Sequence, residues 1–257
     1  MDLKRKPFYL DDTAIEWVNN TLNGLTEDEK IGQLFFPIGF STEKEYLNHL
    51  RSLGIGGLFF RPGVAEEVQQ TYEYMQRTSK VPLLTAANLE DGGNGSSLEG
   101  TAFGNQMAVA ATNQTSDAYT LGKIASSEGK AVGVNFGFSP VVDLDLNFRN
   151  PITNVRTYGS DVERVIKNAK EYIQAFHDNG IMTSIKHFPG DGVDERDQHL
   201  LTSINSLSVD NWKKTFGKVY QELIDFGSKA VMVGHIAFPA YSGDEMPATL
   251  SPQLLQD

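Results

Sequence analysis

The sequence predicts an α/β fold, a (β/α)8 barrel of TIM type carried through about six of its eight units. Three observations predict it. Six short apolar runs recur along the chain, amphipathic helical patterns lie between them, and the runs are near-continuous rather than alternating. Continuous apolar runs are what parallel strands buried on both faces require. Strand and helix in regular alternation give a parallel sheet with right-handed crossovers.

The first predicted strand is Ile31–Gly39, and Thr42 with Glu45 opens a helix before the second, Ile55–Phe60. A helix over Val64–Arg77 leads to the third strand, Pro82–Ala87, and one over Ser116–Ala131 leads to the fourth, Val134–Leu144. Ser160 and Glu163 then form a capping box. Val162, Val165, Ile166, Ala169, Ile173 and Phe176 share one face of that helix, and Gly180 ends it before the fifth strand, Ile181–His187. Ser208 opens the next helix, with Trp212, Phe216, Val219, Leu223 and Ile224 inward and Gly227 at its end, before the sixth strand, Ala230–His235.

Ser251 and Pro252 place an N-cap and a first-turn proline at the start of one more helix. A six-strand parallel sheet that stopped there would expose an apolar edge. The chain is therefore expected to be a single barrel domain, residues 1–257, incomplete at its C-terminus. A complete, open doubly wound sheet is the alternative.

Composition narrows the function. The 257 residues carry 22 Lys+Arg against 33 Asp+Glu, a net charge of −11, which argues against nucleic acid as a partner because phosphate demands a basic face. The absence of cysteine excludes a thiol nucleophile, a disulfide framework and thiolate zinc sites. The basic N-terminus is followed by an apolar stretch of only Phe8 to Leu10, too short for an export signal. No run approaches the ~18 apolar residues of a spanning helix. A soluble, cytoplasmic chain with no membrane partner is expected.

The densest polar cluster runs from Lys186 through His187-Phe188-Pro189-Gly190-Asp191-Gly192 to Asp197 and His199. It follows the fifth strand, at the C-terminal mouth where barrel enzymes place catalytic loops. Asp197 and His199, two apart, can let a carboxylate hold one imidazole nitrogen while the other moves a proton near neutral pH. Taken alone, Asp-x-His in an acidic loop is equally a solvated charge run. Lys186 at the end of a buried strand needs a partner, because an unpaired buried ammonium is costly.

The string Lys-His-Phe-Pro-Gly-Asp-Gly, four residues, then Asp-x-His closely resembles the signature of bacterial β-N-acetylglucosaminidases of glycoside hydrolase family 3. Ser139-Pro140-Val141-Val142-Asp143-Leu144-Asp145, Asn154-Val155-Arg156-Thr157-Tyr158-Gly159-Ser160-Asp161 and Gly56-Gly57-Leu58-Phe59-Phe60-Arg61 are similar in the same order. So are His235-Ile236-Ala237-Phe238-Pro239 and Pro247-Ala248-Thr249-Leu250-Ser251, which extends the resemblance over roughly residues 25 to 257.

That resemblance implies a retaining exo-glycosidase that removes terminal β-linked N-acetylglucosamine, in carbohydrate metabolism of the peptidoglycan-recycling kind. It implies His199 as general acid/base and Asp197 as its partner. Lys186, His187 and Arg156 would grip the hydroxyls of the terminal sugar, and Arg61 would line the same pocket. The family's Asp-Gln-Glu-Gly-Gly run is replaced here by Asn88-Leu89-Glu90-Asp91-Gly92-Gly93, so Asn88 stands where a sugar-binding aspartate is expected. Glu90 or Asp91 is the compensating carboxylate. The arginine that follows this run in the family is replaced by Asn94-Gly95-Ser96-Ser97.

The family's nucleophilic aspartate lies on a seventh strand, which would begin after Asp257, so the chain alone is expected to be inactive. A non-catalytic sugar-binding remnant is the second reading, and a glycoside phosphorylase is a variant of the first. A metal-dependent hydrolase built on Asp143, Asp145, His187, Asp191 and His235 lacks the ligand spacing such sites use. No cofactor or metal is implied; the partner is a carbohydrate, and the oligomeric state is left open.

Overall fold

The computed structural model describes residues 2–5 and 8–256; Lys6 of the basic cluster and the terminal Asp257 lie outside the described residues. Among the described residues there are eight strands: β1 (Ile38–Gly39), β2 (Gly57–Phe60), β3 (Leu84–Ala87), β4 (Phe136–Gly137), β5 (Met182–Phe188), β6 (Ser203–Ile204), β7 (Ala230–Val233) and β8 (Ile236–Ala237). Six of them form one parallel sheet in the order β1-β2-β3-β4-β5-β7. Every neighbour in that sheet is also the next of its strands along the chain. A doubly wound sheet reverses its strand order at a switch point, so the consecutive order is that of a barrel wall.

The helices are α1 (Asp12–Asn23), α2 (Glu27–Gly32), α3 (Lys44–Ser52), α4 (Ala65–Thr78), α5 (Gln106–Ala111), α6 (Thr115–Ala131), α7 (Val162–Asp178), α8 (Val209–Lys214), α9 (Phe216–Phe226), α10 (Pro239–Ser242) and α11 (Pro252–Gln256). Their apolar faces cover one side of the sheet. Leu58, Tyr72, Met75, Leu89, Leu121, Tyr172, Phe176 and Phe216 lie in that layer, all essentially inaccessible to solvent. The other side is lined by a smaller aromatic cluster of Phe36, Phe59, Phe136 and Phe138 with Ala86 between them. Among the described residues, no helix is long and apolar enough to cross a membrane.

Four local expectations are corrected. The first strand is not Ile31–Gly39: Thr26 accepts a hydrogen bond from the Glu29 amide while Glu29 reaches back to the Thr26 amide, and this capping box turns residues 27–32 into α2. Only Ile38 and Gly39 pair with the sheet, and Ile31, Leu34 and Phe35 are exposed beside it. The cap of α7 is not Ser160 with Glu163. Asp161, one residue later, accepts from the Arg164 amide at 2.7 Å and fixes the start. Likewise α3 starts after Glu43, which makes no side-chain cap bond, rather than at a Thr42 cap.

The helix opened by Ser208 breaks at Thr215 into α8 and α9. The break lets Trp212 turn its indole Nε1 onto the Pro189 carbonyl at 2.6 Å, while Ile224 is left partly exposed instead of facing inward. The short parallel pair of β6 with β8 was not expected from the sequence.

Candidate active site

Lys186 sits near the end of β5, where both faces of the strand are covered, and its side chain is only 2% exposed. Its ammonium meets Glu90 Oε1 at 2.5 Å and donates to Asn88 Oδ1 at 3.1 Å. Glu90, in the loop leaving β3, also receives a bidentate pair from Arg156, Nε at 2.8 Å and Nη2 at 2.9 Å. Burial by itself would raise the Glu90 carboxyl, but Lys186 and Arg156 outweigh it and hold it down to about 2. Burial pulls the Lys186 ammonium downward, with Glu90 opposing. For Arg156 burial works the same way and loses to Glu90, so the net shift is upward. The result is a buried cation–carboxylate–cation clamp across three strand ends.

His187, next in the strand, faces a second carboxylate. Its Nδ1 lies 2.7 Å from Asp143 Oδ2, and its amide donates to Asp143 Oδ1 at 3.1 Å. The same Asp143 Oδ1 accepts from the Asp191 amide at 2.8 Å. Asp191 in turn accepts from Asn150 Nδ2 (2.8 Å), the Gly192 amide (2.7 Å) and Gln198 Nε2 (2.7 Å). Burial raises the Asp191 carboxyl and the charge of Asp143 adds to the rise.

The Gly-Asp-Gly turn is tightly enclosed. Gly190 and Gly192 have φ of +121° and +98°, and a Cβ at either would strike the Phe216 ring or the Leu144 carbonyl, at 2.2 and 2.1 Å.

Asp197 and His199 lie farther along the same loop. Asp197 Oδ1 accepts from the His199 amide at 2.9 Å and contacts His199 Nδ1 at 2.7 Å. Those two contacts lower the Asp197 carboxyl below its ordinary range. With Nδ1 engaged by a carboxylate, Nε2 is the ring nitrogen of His199 left for any proton transfer. The His199 side chain is 66% exposed, so this dyad stands in solvent while the clamp does not.

The structure thus brings Lys186, Arg156, Glu90 and Asn88 into direct contact, sets His187 one peptide away, and ties the dyad to them through Gln198 and Asp191. Arg61 is exposed just past β2 and makes no hydrogen bond or ion pair with the described residues. Asp91 Oδ1 is buried without a hydrogen-bond partner, so Glu90 is the carboxylate that meets the cations. His235 Nδ1 lies 3.0 Å from Thr249 Oγ1. The carboxylates and histidine weighed as metal ligands, Asp143, His187 and Asp191, are engaged with one another and with amides. Sequence reasoning missed the parts played by Gln198, Asn150 and Asp194. Asp194 accepts from the Ser203 hydroxyl and the Ile204 amide and so holds β6.

Residues 26–257 match the glycosyl hydrolase family 3 N-terminal domain. The chain is 46% identical, over its whole length, to 47% of a protein from Cellulomonas fimi named β-N-acetylglucosaminidase/β-glucosidase. It is 30% identical over 74% of its length to 36% of β-hexosaminidase A from Pseudoalteromonas piscicida. A solved β-glucoside phosphorylase, BglX, bound to 2FGlc, superposes with a TM-score of 0.93 at 44% identity, covering 99% of this chain and 48% of that one. A family 3 β-N-acetylglucosaminidase from Paenibacillus sp. str. FPU-7 gives 0.84 at 28%, covering 91% and 46%. The chain covers between about a third and a half of the length of these relatives.

Proposed function

This chain belongs to glycosyl hydrolase family 3, and on that premise we propose that it carries the acid/base loop and sugar clamp of a retaining exo-glycosidase. The sugar removed is a terminal β-linked N-acetylglucosamine, with β-linked glucose as the related substrate that the names of its relatives suggest. The observation that carries the reading is the 2.7 Å contact of His199 Nδ1 with Asp197, on a loop that starts beside the buried Lys186–Glu90–Arg156 clamp.

In the first step His199 Nε2–H protonates the leaving oxygen as a carboxylate attacks the anomeric carbon. Asp197 stabilises the imidazolium beforehand and orients the ring throughout. In the second step the now neutral Nε2 takes a proton from the water that attacks the glycosyl-enzyme and releases the sugar. The attacking carboxylate in this reading is the aspartate that the resemblance implies on a seventh strand. Lys186, Arg156, Asn88 and His187 hold the sugar's hydroxyls, with Glu90 fixing the two cations and Arg61 reaching in from β2.

The test is release of nitrophenol from the β-N-acetylglucosaminide and the β-glucoside by the intact gene product. His199→Ala is expected to lower the rate about 10²–10⁴-fold; an undiminished rate overturns the assignment.

A second reading changes only the acceptor. A base that is a neutral imidazole repels an anion less than a second carboxylate would, and a protein of similar structure is named a β-glucoside phosphorylase. Appearance of sugar 1-phosphate when inorganic phosphate replaces water as acceptor distinguishes the two. The proposed setting is the cytoplasm, with N-acetylglucosaminides from cell-wall turnover as substrates, checked by their accumulation when the gene is deleted.

A further inference from the structure

Between the two members of the dyad stands a residue that the proposed chemistry does not use. Gln198 is 6% exposed, and its side chain points away from solvent while the histidine beside it points out. Its amide is spent at both ends. Nε2 donates to Asp191 Oδ2 at 2.7 Å, and Oε1 accepts from the His235 amide at 3.1 Å, just past β7. The opposite wall makes room for it, because a Cβ on Gly234 would lie 2.6 Å from that Oε1.

Asp191 is itself fixed on three sides, by Asn150, by the Gly192 amide and by its own amide bonded to Asp143. Hydrogen bonds therefore run from His187 through Asp143 and Asp191 to Gln198, and the peptide bonds on either side of Gln198 join that anchorage to Asp197 and His199. The first links are at a strand end and the last is on an exposed loop.

We propose that Gln198 is a positioning residue: its amide pins the dyad loop to Asp191 and to the β7 end, and so sets where His199 meets the leaving group. The inference rests on the acid/base reading of His199 and adds to it the means by which an exposed loop delivers a proton to a defined place. The side chain must donate to a carboxylate and accept from an amide at once. Glutamine does both. Glutamate would turn a carboxylate against Asp191, beside the Asp143 charge, and lose the donor.

The experiment uses the intact gene product and two glycosides of the same sugar, one with an alkyl leaving group that needs protonation and one with a 2,4-dinitrophenyl group that does not. Misplacing a catalytic group by about 1 Å can cost about 10²-fold, so Gln198→Glu is expected to lower kcat/KM on the alkyl glycoside, which reports the leaving-group step, roughly 30-fold. On the dinitrophenyl glycoside kcat/KM should change little, while kcat falls there because the water step still needs His199 as base. The paired variant Asp191→Asn with Gln198→Glu reverses the polarity of the bond and is expected to recover most of the loss.

Gly234→Ala, which crowds Oε1 without altering charge, should reproduce the single-variant pattern should Gln198→Glu fail to fold. Equal losses in kcat/KM on the two glycosides, no loss on either, or no recovery in the pair would overturn the proposal. His199→Ala measured alongside keeps the two levels apart. Full activity in that variant sinks the acid/base reading, whereas its inactivity together with an unaffected Gln198→Glu sinks only the anchor.

Discussion

Two regions of one loop-bearing strand end differ in almost every physical respect. The clamp of Lys186, Glu90 and Arg156 is largely buried, with two cations sharing one carboxylate in a geometry that is bidentate at Arg156. The dyad of Asp197 and His199 rests on two contacts within a loop, with the histidine largely exposed. Burial makes charge costly and so favours fixed, paired charges, which would suit the proposed holding of a neutral polyol in one orientation. Exposure leaves the imidazole accessible from solvent. The strand end supplies the buried part of the candidate site and the loop supplies the exposed part.

The sharpest way to break that comparison is to remove each partner in turn. His199→Ala should cost 10²–10⁴ in turnover while leaving the melting temperature of the 257-residue chain essentially where it was. Glu90→Gln should instead lower stability. It strands the buried Lys186 ammonium, and breaking a buried pair costs about 3–5 kcal/mol, readable in urea unfolding of the chain. If Glu90→Gln unfolded no more easily than the parent, the clamp would not be the fixed element described here.

Acid probes the same clamp without mutation. The Glu90 carboxyl is lowered in the folded chain, from an ordinary 4.5 to about 2, so its contribution is fully present above pH 4.5. It is lost as pH falls from there toward 2, with stability declining by on the order of 2 kcal/mol through that window. Glu90→Gln should flatten that part of the pH–stability curve. The smallest effect is expected at the exposed pair of Arg149 with Glu195, 3.2 Å apart. Arg149→Ala should change stability by no more than about 0.5 kcal/mol, with no change in the salt-free melting curve beyond that.

Much of this was legible in the residues. The consecutive parallel strands, the crossover helices and the placing of Lys186 and His199 around β5 follow from apolar runs, caps and one long polar motif. Where the reading failed, a local signal was overruled by a neighbour of the same kind. Ile31 looks like the start of a strand, yet the Thr26/Glu29 box upstream commits it to a helix. Ser160 is a good cap, but Asp161 stands one residue closer and takes the Arg164 amide.

Thr215, with φ of −114° and ψ of −101°, breaks a helix that its periodicity would continue, and Trp212 just before it donates to the Pro189 carbonyl. The site's supporting residues were harder still to see. Nothing in the order Asp-Gln-His says that the middle side chain turns inward to a partner seven positions upstream. Periodicity and motifs report what a segment prefers, whereas Gln198, Asn150 and Asp194 acquire their parts only when distant backbone closes around them.

The enclosed Gly-Asp-Gly turn bears on how this loop could be transplanted. Gly190 lies under the ring of Phe216, on α9, and Gly192 lies under the Leu144 carbonyl, beyond β4. A graft that carried only residues 189–199 into another barrel would arrive without the two surfaces that shape it. Moving the Asp197–His199 dyad means moving a helix and a neighbouring strand's exit along with it.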